Sequence, residues 1–255
     1  MLFLIINIDN FDINYIVEGE GSPILLLHGW GSSIVVWRNI INYLKNRYTL
    51  YALDFPGCGG SSMPKAPLDL NDYNNLVIEF CKKLNIIDPI IMGHSHGGRV
   101  ALSLMANNLL SFNKAILFDS AGIIAKKSLK TRFKIKTFKF CKKVLTLPII
   151  KNYTERTLNA LKNYFGSNDY SNAPDVMKKT LVNVVNVDLR KELSNITVST
   201  LLIWGDKDTD TPLNNAKLIE ELIPDCGLCV LKGCGHFALI EKPYEVNAIL
   251  NSFLG

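Results

Sequence analysis

A serine lies between closely spaced glycines in the stretch Gly93-His94-Ser95-His96-Gly97. An apolar run precedes these residues and apolar residues at helical spacing follow them, so the stretch is expected to join a strand to a helix. Glycine is favoured where a backbone turns too sharply for side chains to fit. A Gly-x-Ser-x-Gly turn in this setting holds a serine hydroxyl clear of its neighbours. We therefore predict that Ser95 is a catalytic nucleophile.

A serine hydroxyl is a weak nucleophile unless a nearby base accepts its proton. The chain has four histidines to supply that base: His28, His94, His96 and His236. His94 and His96 adjoin Ser95 in sequence and cannot readily turn back to its hydroxyl. His236 lies in a predicted loop between the last strand and the last helix. We therefore predict that His236 is the base.

The base in turn needs a carboxylate that holds the correct tautomer and stabilises the imidazolium. Asp206, Asp208 and Asp210 lie just after a predicted strand, in the sequence WGDKDTDTP. Asp119 also ends a predicted strand at the same edge of the sheet, and it is a less favoured substitute. Residue types and positions alone leave the acid to be chosen among these four residues.

Three of the six cysteines lie close to His236, in the order Cys226, Cys229, Cys234. Their spacing is similar to that of a metal site. The segment around Cys229 also has the pattern of a strand, in which neighbouring side chains point to opposite faces. Because the chain has no second half-site with closed ligand spacing, we expect no metal ion. Without an export signal the six cysteines are expected to be reduced thiols, and we expect no cofactor.

Composition excludes several classes of protein. Of 255 residues, 48% are hydrophobic and 20% are charged, and the formal net charge is +5. This excess is small and no basic stripe with interleaved aromatic residues is present, so we expect no nucleic-acid partner. The amino terminus lacks a positively charged start, which favours a strand over a signal peptide. No apolar stretch approaches about 18 residues, so we predict a soluble, cytoplasmic protein without an integral membrane segment.

Short apolar runs alternate with segments long enough for helices through most of the chain. Nearly continuous apolar runs fit strands that are covered on both faces, and the segments between them fit crossover helices. The pattern predicts an α/β fold with a mostly parallel central sheet flanked by helices. The predicted strands lie at 23–29, 50–57, 89–95, 114–122 and 199–206, and the predicted helices at 33–47, 70–85 and 96–110.

The alternation stops between residues 123 and 188, where the sequence is helix-like. We predict a helical cap (lid) insertion at 123–188 in a core domain formed by residues 1–122 and 189–255. Open α/β sheets bind ligands at the carboxyl ends of their strands, so the cap is expected to cover that edge. From Lys126 to Lys151 it holds ten Lys or Arg residues and no acid. This basic stretch is interpreted as an amphipathic helix over the pocket, and it would also suit an anionic carrier or a membrane surface.

These features together resemble the α/β-hydrolase superfamily over essentially the whole chain. The order of Ser95, an acid and His236 along the chain is the order of the catalytic residues on that fold. The family's Trp-Gly-x-x-Asp pattern has the acid at its last position, which is Asp208 here. The sequence LLLHGWGSS resembles the family's His-Gly loop. The resemblance therefore implies oxyanion-hole N–H donors at Trp30, which follows His-Gly, and at His96, which follows the nucleophile.

The resemblance also implies residues that contact the substrate. Phe237 follows the base, where the family's carbon–carbon hydrolases have a tryptophan, and Arg99 follows the double glycine. An arginine there helps to bind an anionic substrate in the family's menaquinone-pathway lyase. We expect the substrate-binding set to be His28, His94, Arg99 and Phe237, with Arg132 and Arg156 as candidates for the lid arginine of carbon–carbon hydrolases. Many relatives have a small residue or methionine in place of His96, so its side chain is expected to change leaving-group preference.

A serine nucleophile separates this chain from the family's epoxide hydrolases and haloalkane dehalogenases, which use an aspartate. The expected function is a serine hydrolase that cleaves a small to medium carboxylic ester, lactone or thioester through an acyl-enzyme. One alternative is a carbon–carbon bond hydrolase or a menaquinone-pathway-like lyase on the same three residues. A further alternative is a ligand receptor, which would bind tightly with turnover near one.

Overall fold

One sheet positions the candidate site in the computed structural model, which describes residues 1–124 and 173–255. Across the sheet the strands follow the order β1-β2-β4-β3-β5-β6-β7-β8. β2 is antiparallel to β1 and to β4, and all other neighbours are parallel. The predicted mostly parallel sheet is thus confirmed. The strands are β1 (Leu4–Ile8), β2 (Phe11–Glu18), β3 (Ser22–Leu27), β4 (Tyr48–Leu53), β5 (Ile90–His94), β6 (Ala115–Phe118), β7 (Thr200–Gly205) and β8 (Cys226–Leu231).

Helices cover both faces of the sheet, and the three predicted crossover helices are among them. Within the described ranges, none of the helices has the length and apolar character needed to cross a bilayer. The helices are α1 (Arg38–Leu44), α2 (Leu70–Lys83), α3 (His96–Ala106), α4 (Asp175–Val185), α5 (Leu213–Leu222), α6 (Ala238–Glu241) and α7 (Pro243–Leu254), with short 3₁₀ turns at Ile34–Trp37 and Leu193–Asn195.

Buried side chains alternate between the two faces of β3. Leu25 and Leu27 pack in the apolar cluster that includes residues of α2, α3 and α5. Ile24 and Leu26 pack in the opposite cluster, with residues of α1 and α7. Because both faces are covered, the strand needs an uninterrupted apolar sequence. Burying each such side chain contributes about 1.5–3 kcal/mol, so the carboxyl edge of the sheet rests on a firmly packed layer.

The start of α2 shows how side chains set a helix boundary. Asp69 is the N-cap residue, and its side chain accepts hydrogen bonds from the N–H groups of Asn71 and Asp72. The Asp72 carboxylate accepts the Asp69 N–H at 2.7 Å in return. This reciprocal capping box satisfies amide groups that have no partner inside the helix.

Helix α4 lies in the sequence range that was predicted to form the cap. It is joined to the segment before α2, because the Thr180 hydroxyl accepts the Leu68 N–H at 2.9 Å and the Asn183 amide donates to the Leu68 carbonyl at 3.1 Å. Residues 125–172, which include the basic stretch, lie outside the described residues. The cap boundaries at 123 and 188 therefore stay a prediction.

Candidate active site

The carboxyl ends of β5, β6, β7 and β8 meet at one edge of the sheet, because these strands are parallel neighbours. Ser95 follows β5, Asp208 lies in the loop after β7, and His236 lies in the loop after β8. The structure brings these three residues together, although 141 positions separate Ser95 from His236.

Ser95 occupies a strained turn between β5 and α3. Its φ of 50° and ψ of −112° are unfavourable for a residue that carries a side chain. The Ser95 N–H donates to the Phe118 carbonyl at 3.0 Å, and the Ser95 carbonyl accepts the Ala121 N–H at 2.9 Å. A Cβ atom on Gly97 would overlap the Leu27 carbonyl. The turn therefore packs directly against β3 and needs glycine at this position.

His236 lies between the other two residues. Its Nε2 atom is 2.9 Å from Ser95 Oγ, and its Nδ1 atom is 2.8 Å from Asp208 Oδ2. With the proton on Nδ1, the ring donates to Asp208 and accepts from the serine hydroxyl. Burial disfavours the charged ring, but the hydrogen bond and the charge of Asp208 outweigh it and raise the pKa of His236 above its ordinary value. The imidazole is thus arranged to take up the serine proton.

Asp208 accepts hydrogen bonds at both carboxylate oxygens. Oδ1 accepts the N–H groups of Asp210 at 2.8 Å and Thr211 at 2.9 Å. Oδ2 accepts the Thr211 hydroxyl at 2.6 Å in addition to the His236 ring. Burial alone would raise the pKa of Asp208, but the hydrogen bonds from His236 and Thr211 outweigh burial and lower it. The carboxylate is therefore ionised at neutral pH and oriented towards the imidazole.

The other candidate acids do not contact the His236 side chain. Asp206 and Asp210 are exposed. Asp119 is fully buried at the end of β6, and its carboxylate accepts hydrogen bonds from backbone N–H groups. Of the four candidates, Asp208 is the one whose carboxylate lies within hydrogen-bonding distance of the imidazole.

Thr211 is a site residue that the sequence interpretation missed. Besides its bond to Asp208, its hydroxyl oxygen lies 3.3 Å from His236 Nδ1. Its carbonyl accepts the indole N–H of Trp204 at 2.7 Å, which ties the loop to β7. The available signal is a threonine three residues after an aspartate in a turn, where such side chains commonly bond to each other and to nearby backbone.

The two residues expected to supply oxyanion-hole donors lie beside Ser95. His96 is the first residue of α3, and N–H groups in the first turn of a helix have no partner within that helix. Trp30 follows Gly29, where a Cβ atom would lie 3.1 Å from Ser95 Cβ. The rings of Trp30 and His96 have centroids 5.8 Å apart. The loop after β3 and the start of α3 therefore both approach the serine.

His28 is fully buried, which contradicts the expectation that its side chain contacts a substrate. Its Nδ1–H donates to the Gly29 carbonyl at 2.7 Å, and Nε2 accepts the Phe55 N–H at 2.9 Å. Burial lowers the pKa of His28, so the ring is neutral. Because backbone groups occupy both ring nitrogens, His28 joins the loop after β3 to the loop after β4 and has no nitrogen free for a substrate.

His94 and Phe237 lie next to His236 in different environments. His94 is buried, and its Nε2 atom lies 2.8 Å from the His236 carbonyl oxygen, so the ring supports the backbone of the base. Burial lowers the pKa of His94 to about 3. Phe237 is 41% exposed, and its ring centroid is 5.6 Å from that of His236. Of these two predicted substrate contacts, Phe237 has the surface to make one, and His94 does not.

The side chains of His96 and Arg99 are both buried. The His96 ring packs among aromatic rings, with its centroid 4.6 Å from that of Tyr73, and burial lowers its pKa to about 3. Arg99 donates to the Val187 carbonyl, which joins α3 to the segment after α4. This contact with the backbone contradicts the expectation of an open arginine that binds a substrate anion. The lid candidates at 132 and 156 lie outside the described residues.

A cavity of about 200 Å³ lies beside Trp30. Gly57, Cys58 and Met177 also line it, so it lies between the loop after β4 and α4. This volume is below the range of about 300–1,000 Å³ that is typical of pockets for drug-sized ligands.

Two of the cysteines near His236 are strand residues of β8. Cys226 and Cys229 lie within that strand, paired with Thr200 and Ile203 of β7. Across residues 1–124 and 173–255, no three His, Cys, Asp or Glu side chains lie close enough to hold a metal ion.

Comparison with protein families identifies the class of protein. Residues 24–249 match the model of the alpha/beta hydrolase family, which is most of the chain. The protein therefore belongs to the α/β hydrolase family, in agreement with its eight-stranded sheet and the strained serine turn within the described residues.

Several of the proteins similar to this chain carry the names of hydrolases. It is 24% identical to the 2-hydroxy-6-oxo-6-(2'-aminophenyl)hexa-2,4-dienoic acid hydrolase of Metapseudomonas resinovorans, over 98% of this chain and 89% of that protein. It is also 24% identical to the pimeloyl-[acyl-carrier protein] methyl ester esterase of Vibrio vulnificus, over 96% of this chain and 98% of that protein. The crystal structure of the enol-lactonase from Burkholderia xenovorans LB400 has a TM-score of 0.76 at 19% identity and covers 98% of this chain and 99% of its own. That structural likeness concerns the fold.

Proposed function

We propose that the protein is a serine hydrolase that cleaves a small to medium carboxylic ester, lactone or thioester through an acyl-enzyme. The observation that carries the proposal is the series of contacts from Ser95 Oγ to His236 at 2.9 Å and from His236 to Asp208 at 2.8 Å. Both distances suit proton transfer by a general base that is held by an acid.

In the first half of the reaction, Ser95 Oγ attacks the carbonyl carbon of the substrate while His236 Nε2 takes the serine proton. The ring is then an imidazolium between Asp208 and the leaving group. The ionised carboxylate of Asp208 stabilises this charge and keeps the ring in place. His236 gives the proton to the leaving alcohol or thiol, and the acyl group stays on the serine. Water, activated by His236, releases the acid in the second half.

The carbonyl oxygen becomes an oxyanion as the tetrahedral intermediate forms. In the proposed mechanism, the backbone N–H groups of Trp30 and His96 donate to it. The free amides at the first turn of α3 and the approach of the Gly29 loop to Ser95 support this assignment. Loss of one such donor typically costs about 2.7–4 kcal/mol of transition-state stabilisation. These two amides would therefore supply a large part of the rate enhancement.

The test is hydrolysis of p-nitrophenyl esters from acetate to laurate by the wild-type protein and by Ser95→Ala. Loss of the nucleophile of such a triad should lower kcat by about 10⁴- to 10⁶-fold. The chain length with the highest kcat/KM would indicate the size of the acyl pocket. Hydrolysis that survives in Ser95→Ala, or a wild-type protein without activity on any ester, would contradict the proposal.

Ser120→Ala is the matched control. Ser120 also follows a central strand and is buried, and its hydroxyl donates to the Ala121 carbonyl and does not contact His236. We expect this variant to keep ester hydrolysis within a few-fold of the wild type, because it leaves the path of the proton unchanged.

Carbon–carbon bond hydrolysis is the second candidate function. The likeness to the dienoic acid hydrolase of M. resinovorans over 98% of the chain favours it. The structure weakens the lyase form of this idea, because Arg99 bonds to the Val187 carbonyl. A 2-hydroxy-6-oxohexa-2,4-dienoate substrate, which has no ester, separates the two functions. Release of a carboxylic acid from it, with no hydrolysis of p-nitrophenyl esters, would replace the ester proposal with this one.

An anionic acyl carrier is proposed as a subcase for thioesters. The support is the sequence from Lys126 to Lys151, with ten basic residues and no acid. Salt screens attraction between exposed charges, with a Debye length of about 10 Å at 0.1 M. Hydrolysis of an acyl-carrier thioester should therefore fall steeply between 0.05 and 0.5 M salt, while hydrolysis of p-nitrophenyl acetate changes little. An equal response of both substrates would remove the carrier from the proposal.

A further inference from the structure

Asp119 is a buried carboxylate that the proposed mechanism does not use. It follows β6, between the strands that lead to Ser95 and to Asp208, and it has no exposed surface. Its φ of 43° is in the left-handed region, which is unfavourable for most side chains. A strained backbone at a buried acid is retained when the surrounding contacts hold it there. The contacts of Asp119 therefore indicate what it does.

The Asp119 carboxylate joins the two loops that carry Asp208 and His236. Oδ1 accepts the Gly205 N–H at 2.8 Å, at the start of the loop that contains Asp208. Oδ2 accepts the Ala238 N–H at 3.1 Å, two residues after His236. The Asp119 carboxylate thus accepts one hydrogen bond from the backbone before Asp208 and one from the backbone after His236.

The two loops also pack directly on each other, since a Cβ atom on Gly205 would overlap the Gly235 carbonyl oxygen. The Thr211 hydroxyl donates its one proton to Asp208, so its 3.0 Å approach to the Asp119 carbonyl oxygen is a packing contact. The distance between Asp208 and His236 therefore depends on a small, close-packed region with Asp119 at its centre.

Asp119 also adds charge near the base without touching the ring. The groups that face His236 are Asp208, Asp119, Asp210 and the neutral ring of His94, and the three acids raise the pKa of His236 against burial. Asp119 itself faces Asp208, His236 and Cys234. Burial raises the pKa of Asp119 to about 7, the bond from Gly205 N–H opposes this rise, and the charge of Asp208 adds to it. The Asp119 carboxyl group therefore changes charge near neutral pH.

We propose that Asp119 is a positioning residue that holds the loops of Asp208 and His236 at their catalytic separation and places a second negative charge near the imidazolium. This inference rests on the proposed serine hydrolase function. Asp119 acts through its hydrogen bonds to the backbone of both loops and through the effect of its charge on His236, and it exchanges no proton with the substrate.

The test is Asp119→Asn, measured as kcat and KM for p-nitrophenyl acetate between pH 5.5 and 9. The amide can still accept from one N–H group but presents an NH₂ group to the other. Losing a buried hydrogen bond to a charged group should lower kcat by roughly tenfold to a hundredfold, with KM within about twofold. Removing a negative charge lowers the pKa of His236, so the acid limb of kcat/KM should move to lower pH.

Asp225→Asn is the control, because Asp225 is exposed and directly precedes β8, at the edge of the sheet opposite the candidate site. It should keep kcat and the acid limb of the wild type. An Asp119→Asn protein with wild-type kcat would overturn the proposal. So would a loss of kcat with an unmoved acid limb, because a role limited to packing predicts that result.

A measurement on the wild-type protein keeps the proposal testable if Asp119→Asn does not fold. The N–H groups of Gly205 and Ala238, followed by hydrogen exchange with NMR, should be as strongly protected as those of β6 and β7, because the buried Asp119 carboxylate accepts both. Exchange of either group at the rate of an open loop would overturn the proposal. This readout needs no substrate, so it still tests Asp119 if the protein hydrolyses no ester and the proposed function fails.

Discussion

Thr211→Val removes one hydroxyl from the candidate site and keeps the shape of the side chain. The hydroxyl donates to Asp208 Oδ2 at 2.6 Å, and Thr211 is 8% exposed, so water has little room to replace it. A buried hydrogen bond to a charged group contributes about 1.5–3 kcal/mol. Because each 1.36 kcal/mol is a factor of ten, the largest effect on the rate would be about a hundredfold.

The effect on kcat should be smaller than this limit. Asp208 is ionised in the free enzyme as well as in the transition state, so part of the lost energy is common to both states and does not change the rate. The remainder is the weaker support for the imidazolium as it forms. We therefore expect kcat to fall by about tenfold and KM to stay within about twofold.

The same hydroxyl should also stabilise the fold in a pH-dependent way. The pKa of Asp208 is lowered in the folded protein, so its hydrogen bonds stabilise the fold above the unfolded pKa of about 3.9. This contribution is lost as pH falls through the folded pKa. Urea unfolding of Thr211→Val should show a deficit of about 1–2 kcal/mol at pH 7, and the deficit should shrink at lower pH.

The assay is hydrolysis of p-nitrophenyl acetate by the wild type, Thr211→Val, Thr211→Ser and Thr200→Val. Thr211→Ser restores the hydroxyl and should recover most of kcat. Thr200 is a buried threonine in β7 whose hydroxyl donates to the Val198 carbonyl, so Thr200→Val should change kcat little. A wild-type kcat in Thr211→Val, or an equal loss in Thr200→Val, would refute the reasoning.

Three further outcomes are expected. First, kcat/KM should rise with pH through a pKa above 6.5, because His236 must be neutral to act as a base and its pKa is raised. Asp208→Asn should move this acid limb of the kcat/KM profile to lower pH. An acid limb that does not move would contradict the assignment of Asp208 as the acid. Second, Gly97→Ala should abolish hydrolysis and destabilise the fold in urea unfolding, because its Cβ atom would overlap the Leu27 carbonyl; normal activity would contradict the tight packing of the turn. Third, His28→Ala should lower the free energy of unfolding by about 1–3 kcal/mol, because the Phe55 N–H loses its acceptor. An unchanged midpoint of urea unfolding would show that His28 does not hold the loops after β3 and β4 together.

Local patterns in the sequence were sufficient to predict most of the fold. The five apolar runs became β3 to β7, and the three intervening segments became helices. This succeeded because a strand that is buried on both faces must be apolar throughout. The turn at Ser95 was also predictable, since its glycines are required by local geometry and lie next to the serine in the chain.

The partners of side chains distant in sequence were harder to predict. His28 and Arg99 were expected to contact a substrate, yet both are buried and bond to backbone groups. The sequence pattern does not single out Thr211, and it indicates Asp119 as a substitute acid rather than as a link between loops. A histidine or arginine has the same identity whether it is a ligand contact or a buried support, so residue type alone does not separate these roles.

The sequence by itself therefore determined the order of strands and helices, the serine turn and the short set of residues from which a base and an acid could be drawn. The tertiary structure decided which of them meet: Asp208 reaches His236, Asp206 and Asp210 remain at the surface, and Asp119 bonds to both loops. The physical reason is the parallel register of β5 to β8. It brings distant loops to one edge of the sheet within hydrogen-bonding distance, which no local pattern in the sequence specifies.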